Sequence, residues 1–264
     1  MKKWLLGVVL SFSMVVTGCG GGQGEKATGT DLYDTIKKQG FITIGTEGTY
    51  KPFSYHEEKT NELTGYDVEV AKEVAKRLGV QAKFQEIPWD GMLTSLQTKK
   101  IDLAANQVGI KPERKEKFDF SQAYTISFAQ MVVAQDNNTI KAIADVKGKK
   151  AGQTPTSNYG KMATDAGAEI KAYEDMMTAM RDVAAKRIDF SMNDRLAIAE
   201  MMKTNKLPVK TVGEPMERAE SAFPIPKGNS KLLEAVNKAI DEMKKDGTLE
   251  KISKKYFGED VSKG

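Results

Sequence analysis

From residue 32 onward the apolar and polar positions change period several times, and each change predicts an element. "LYDTIKKQG" (32–40) predicts a short helix stopped at Gly40, and "FITIGTE" (41–47) alternates as a strand. A polar hairpin around "HEEKTNELTG" leads to Asp67, which reads as a helix N-cap. Val70, Ala71, Val74, Ala75 and Leu78 then recur at helical spacing, and Gly79 ends the run. "VQAKFQEI" predicts the next strand, "WDGMLTSLQTKK" a helix and "IDLAAN" a third strand. The order βαβαβ predicts an α/β layer with a mainly parallel sheet.

The pattern then returns. "VKGKKAGQ" (146–153) leads to a loop and helix in "TSNYGKMATDAG", a strand in "AEIKAY", a helix in "EDMMTAMRDVAAKR" and a strand in "IDFSMND". "LQTKKIDLAANQ" and "VAAKRIDFSMND" share one plan, in which a helix ends in two basic residues, Ile-Asp opens a strand and polar side chains sit at its far end. Two similar α/β lobes follow from this. Ligands of open α/β sheets sit beyond the carboxyl ends of the strands, where both polar clusters fall. Two facing sites predict a cleft that closes on a small molecule. "NSKLLEAVNKAIDEMKKDGTLEKISKKYF" (229–257) predicts two amphipathic helices broken at Gly247, with no strand of their own.

The front of the chain stands apart. Lys2 and Lys3 precede the apolar run "WLLGVVLSFSMVV" (4–16), which is shorter than the about 20 apolar residues of a bilayer span. Residues 1–18 therefore read as a signal peptide. "VTGC" resembles the lipobox of bacterial lipoproteins, making Cys19, the only cysteine, the expected lipidated residue. Several acyl chains would anchor it, each buried CH₂ contributing about 0.8 kcal/mol. The Gly-rich stretch that completes residues 19–30 is the expected flexible tether.

Composition narrows the function classes. Hydrophobic residues make up 40% and charged residues 29%, as in a soluble domain. The net charge of +4 is spread through blocks of alternating sign such as "PERKEKFD", so nucleic acid is not an expected partner. One histidine and no cysteine beyond Cys19 exclude a zinc cluster or a Cys/His pair in the body of the chain, and no metal or cofactor is expected. A Ser-His-Asp triad has only His56 to draw on, in a polar hairpin where an exposed, inert side chain is expected. The methionines, Met176, Met177, Met180, Met192, Met201 and Met202 among them, read as core filler.

Residues 41–262 resemble the type II periplasmic solute-binding proteins that serve ABC importers of amino acids. The matching pieces include "GTEGTYKPFSY", "LTGYDVEVAKEVAKRLGV", "NQVGIKPERKEKFDFSQAYTIS", "NYGK" and "RIDFSMNDRLA". "WDGML", "NQVGI" and "NDRLA" look most like the cystine-binding branch. The resemblance implies the two-lobed periplasmic-binding-protein type II fold, with two Rossmann-like lobes joined by two hinge strands. Lobe 1 would comprise residues 41–125 plus 222–264, and lobe 2 residues 126–221. It further implies an extracytoplasmic, monomeric lipoprotein held by Cys19 on the outer face of the bacterial cell membrane. Such a protein would deliver an amino acid, L-cystine foremost, to the membrane subunits of an ABC permease.

The residues can be weighed one by one. Read alone, Arg114 is a surface arginine beside Glu113 and Lys115 or a carboxylate clamp, since a guanidinium fork matches a carboxylate bidentately. The family motif selects the clamp. Asp194, with Asn193 beside it, is a helix N-cap for "RLAIAEMM" or a partner for an α-ammonium, and can be both. Tyr50 and Trp89 are the expected aromatic walls, whereas Phe53, Phe118 and Phe120 read as core. Glu47, at the end of the first strand, is a ligand contact or a solvated carboxylate. Asn106, Gln107 and Gly109 would offer mainly backbone groups, and Ser157 and Asn158 the N-terminal end of a helix. Relatives commonly carry glycine at the position of Thr156 and threonine at that of Lys111. Two other functions compete with the receptor. One is an enzyme such as a dehydratase on the same scaffold, with Glu47 as its only spare acid or base. The other is a surface interaction protein with a vestigial cleft.

Overall fold

The computed structural model describes residues 31–263; the expected signal peptide, lipidation site and tether lie outside them. Strand Phe41–Thr46 is central to the first sheet, flanked by Gln81–Glu86 and Leu103–Ala104, all parallel, with Ile44 opposite both Phe84 and Leu103. The expected third strand shortens to two residues. Upstream of it the Asp102 carboxylate accepts the Thr43 N–H at 2.8 Å in place of a ladder bond. Helices Tyr66–Arg77 and Trp89–Gln97 make the crossovers.

Asp67 does not cap its helix. The helix starts at Tyr66, and Gly65 occupies the cap position with φ 126°. A Cβ there would lie 2.3 Å from the Phe53 carbonyl oxygen, so only glycine lets the turn cross this closely. The Asp67 side chain is thereby buried and free to bind elsewhere.

The first core joins Ile42, Ile44, Val70 and Val74 to Leu232, Val236 and Ile240 of the helix Ser230–Lys245. Each such aliphatic side chain contributes about 1.5–3 kcal/mol when taken from water. The strandless C-terminal helices, Ser230–Lys245 and Thr248–Phe257, are thus covered by the first lobe, with Gly247 at φ 78° between them.

The second sheet runs in the order Glu169–Ala172, Lys150–Gln153, Phe190–Asp194, Thr125–Ala134, Val209–Ser221. Its first three strands are parallel and its last two pairings antiparallel. Alternation along Thr125–Ala134 sends Met131 and Val133 to a core with Phe190 and Met192, and Val132 to one with Met180 and Ile198. The two long strands pair from Ala134 with Val209 down to Thr125 with Ser221, where they meet the first lobe. There Ile126 N–H donates to Val261 and Ile110 N–H to Glu220.

The methionine expectation holds for Met180, Met192 and Met201, which are buried, and fails for Met202, which is 41% exposed. His56 is bound rather than idle, with Nε2 2.9 Å from Glu86 and Nδ1 2.8 Å from the Asn61 carbonyl.

Candidate functional site

The polar ends of the first-lobe strands lock one another in place. Asn106, buried beyond Leu103–Ala104, accepts the Glu47 N–H on Oδ1 at 2.9 Å and donates from Nδ2 to the Glu47 carboxylate at 2.8 Å. Gln107 has φ 49°, and its N–H and Nε2 donate to the two oxygens of Asp67 at 2.7 and 2.6 Å. The side chains of Asn106 and Gln107, not only their backbones, therefore build this wall. Burial lifts the Asp67 carboxyl to about 7, against the lowering effect of the Gln107 bonds. Burial lifts Glu47 to about 7 as well; the Asn106 bond opposes this, and the negative charges of Asp175 and Asp90 add to it.

Arg114 lies on the short helix Pro112–Lys115 and is 7% exposed. Its Nη1 donates to the Gly109 carbonyl at 3.1 Å, and its guanidinium carbon stands 5.3 Å from the Trp89 ring centroid. Among the described residues no carboxylate pairs with it, and burial lowers its pKa. A buried cation with a single neutral acceptor is costly until an anion reaches it.

The second lobe supplies the opposite wall. Ser157 caps the helix Asn158–Asp165, its hydroxyl accepting the Gly160 N–H at 2.9 Å and donating to the Thr154 carbonyl at 2.7 Å. Asp194 caps the helix Arg195–Thr204, accepting the Leu196 N–H at 2.8 Å and the Ser127 hydroxyl at 2.7 Å. Its carboxyl is buried and lifted to about 6 by that burial.

Between the walls lies a cavity of about 480 Å³, counting the space that opens to solvent. Glu47, Tyr50, Trp89, Asn106, Gln107, Ser157 and Asn158 line it, so the structure brings these expected site residues together. Arg114 lines a neighbouring cavity of about 1090 Å³ that shares Ser157 and Asn158 with the first. Gly109 and Asp194 line neither: Gly109 holds Arg114 from behind, and Asp194 sits beneath Asn193, which faces the cavity. Gln153, Thr154, Tyr159 and Met176 complete the lining. None of the four was singled out for the site, and Met176, half-buried against the core as expected, also faces the cleft. Gln153 ends a strand, so the rule that ligands lie beyond strand carboxyl ends could have found it.

The lobes touch across the cleft. Tyr50 Oη donates to Asn193 Oδ1 at 2.5 Å, and the Thr156 hydroxyl donates to Asp90. Lys51 pairs with Glu200 and Arg195 with Glu259, each at 3.4 Å.

Residues 42–259 match the family model of the bacterial extracellular solute-binding proteins, family 3. The chain belongs to that family. The L-cystine-binding protein TcyA of Bacillus subtilis (strain 168) is 48% identical over 269 residues, covering 100% of both chains. The L-cystine-binding protein TcyJ of Escherichia coli (strain K12) is 44% identical over 235 residues, covering 88% of each. An ancestral arginine-binding protein bound to glutamine superposes with TM-score 0.79 at 37% identity, over 83% of this chain and 99% of its own. The L-cystine solute receptor of Neisseria gonorrhoeae, in its unliganded open conformation, gives 0.59 at 42% identity, over 89% of this chain and 100% of its own. The fold is thus the two-lobed one of these proteins, and the chain is a family 3 solute-binding protein rather than an enzyme. Among the described residues no helix is long and apolar enough to cross a membrane.

Proposed function

We propose that this protein binds L-cystine between its lobes and hands it to the membrane subunits of an ABC amino-acid importer. The observation that carries the reading is Arg114, a buried guanidinium without a carboxylate partner among the described residues, beside the N-terminus of the helix Asn158–Asp165. A cation and the positive end of a helix dipole converge where an α-carboxylate would sit. Asp194 and Asn193, at the end of Phe190–Asp194, are the groups for the α-ammonium. Tyr50 and Trp89 wall the side chain, while Glu47, Asn106, Gln107 and Gly109 shape the floor.

Cystine is favoured over other amino acids because the relatives at 48% and 44% identity are named for it. The bonds across the cleft make this the closed arrangement. In agreement, the chain superposes better on a ligand-bound relative than on a more identical open one. Closure would move residues 126–221 against residues 41–125 plus 222–264 about the paired strands Thr125–Ala134 and Val209–Ser221. Residues 1–18 would be removed and Cys19 acylated, anchoring a monomer outside the cytoplasmic membrane, so a Cys19→Ser variant would be released into the medium.

The test is thermal unfolding of the purified protein with a panel of amino acids including L-cystine. A ligand at 100 times its dissociation constant adds about 2.7 kcal/mol to the folded state. A selective shift with cystine supports the reading, a shift with a different amino acid replaces the ligand, and no shift with any of them overturns it.

A further inference from the structure

A second cavity of about 540 Å³ opens at the far side of Glu47, lined by Glu47, Glu86, Glu174 and Asp175 around an apolar edge of Ile87 and Pro88. Glu47 belongs to both this cavity and the main cleft, so the two adjoin at that residue. Four carboxylates converge on it, and among the described residues no lysine or arginine lines either cavity. Glu86 is engaged by His56 at 2.9 Å. Asp175 caps the helix Met176–Ala184 through Thr178 N–H and Oγ1, each 2.8 Å away. A carboxylate still has lone pairs to spare after two such bonds. Among the described residues no acidic cluster is arranged to hold a metal ion, so a hydrogen-bonding cation suits these groups better.

A separate observation points to a ligand at the same end. Gln153 is 4% exposed, and its Nε2 has no hydrogen-bond partner among the described residues, yet the side chain lines the cleft. It ends the strand Lys150–Gln153, where its carbonyl accepts the Tyr173 N–H at 3.0 Å. That bond places it next to the Tyr173–Asp175 link. Buried donors are almost always satisfied, and an orphan lining a cavity marks where a ligand acceptor belongs.

We infer that this end of the cleft, formed by Gln153, Glu47, Glu174 and Asp175, is a subsite for the second amino-acid end of a long ligand. The distal ammonium sits among the carboxylates, and a distal carboxylate oxygen accepts from Gln153 Nε2. Arg114 and Asp194 hold the first end. The inference rests on the reading of the cleft as the site of a long, two-ended amino acid. It assigns to Gln153 and Glu174 the discrimination between such a ligand and a one-ended analogue.

The test is calorimetry at pH 8 on the whole protein and its Glu174→Gln and Gln153→Leu variants. The probes are L-cystine and S-methyl-L-cysteine, which keeps one amino-acid end and lacks the other. Each variant is expected to lose at least tenfold in cystine affinity while its affinity for S-methyl-L-cysteine changes less than threefold, which also shows that it is folded. Equal losses for both probes, or no loss for cystine, overturn the subsite and leave the cystine reading standing. Failure of the unsubstituted protein to bind cystine overturns both.

Discussion

The Tyr50 hydroxyl donates to Asn193 Oδ1 at 2.5 Å, joining residues 143 positions apart and on opposite lobes. Asn193 Oδ1 also accepts the Asp194 N–H at 2.8 Å, so the acceptor is held from its own backbone. Burial keeps the Tyr50 phenol well above its ordinary range, and it remains a donor at any physiological pH. Tyr50→Phe deletes this bond and little else. A hydrogen bond contributes about 0.5–1.5 kcal/mol net, so amino-acid affinity should fall about threefold to tenfold. Calorimetry checks this, with the ligand-free unfolding midpoint expected to stay within a degree or two. Unchanged affinity would show that the contact takes no part in closure.

Arg114 carries the larger effect. Arg114→Ala should weaken amino-acid binding tenfold or more, because charge-assisted bonds to a carboxylate are about twice as strong as neutral ones. Arg114→Lys should fail almost as badly: an ammonium keeps the charge but cannot form the planar fork or reach the Gly109 carbonyl in the same pose. Equilibrium titration of both variants, beside their thermal unfolding curves, decides the point. Wild-type affinity in either removes Arg114 from the site.

Much of the architecture was legible in the chain, because Ile42 and Ile44, or Val70 and Val74, bury one face at a period that belongs to one element type. The lining of the candidate site was legible where a strand ends in polar groups, as at Asn106 and Asn193. It was not legible where long-range packing overrode a local rule. Asp67 before an apolar run is an ordinary cap signal, but the turn at Gly65 moves the helix start upstream and sends the carboxylate to Gln107. Gln153 reads as the last residue of a strand, and only the packed structure shows that its amide nitrogen has no partner among the described residues. Arg114 was equally ambiguous by itself, since "PERKEK" looks solvated and nothing local says that one of its charges is buried.

Glu47 gives the ligand-free protein a predictable pH dependence. Its carboxyl is lifted from 4.5 to about 7, chiefly by burial. A raised carboxyl stabilises the fold fully below the unfolded value, and the contribution is lost as pH rises through the folded value. Stability should therefore decline between about pH 4.5 and 7 and level off above. Glu47→Gln still accepts from Asn106 Nδ2 through its amide oxygen but cannot titrate. Denaturant melts across that window should show a shallower decline in the variant. Parallel curves would mean that Glu47 titrates normally.

Gly65 should be the least tolerant glycine in the first lobe. Its φ of 126° is strained for any L side chain, and a Cβ would meet the Phe53 carbonyl oxygen at 2.3 Å and carbon at 2.5 Å. These are backbone atoms and cannot swing aside. The turn also positions two bonds, Tyr66 N–H to Pro52 and Asp67 N–H to Phe53, that fix the helix on the Tyr50 loop. Gly65→Ala should cost about 3 kcal/mol or more, combining backbone strain with a forced shift of packed structure. Chemical denaturation measures the loss directly. Because the same turn carries Asp67 to Gln107, amino-acid affinity should fall in whatever fraction still folds. A variant as stable as the parent would show that the crossing at Phe53 can open without consequence.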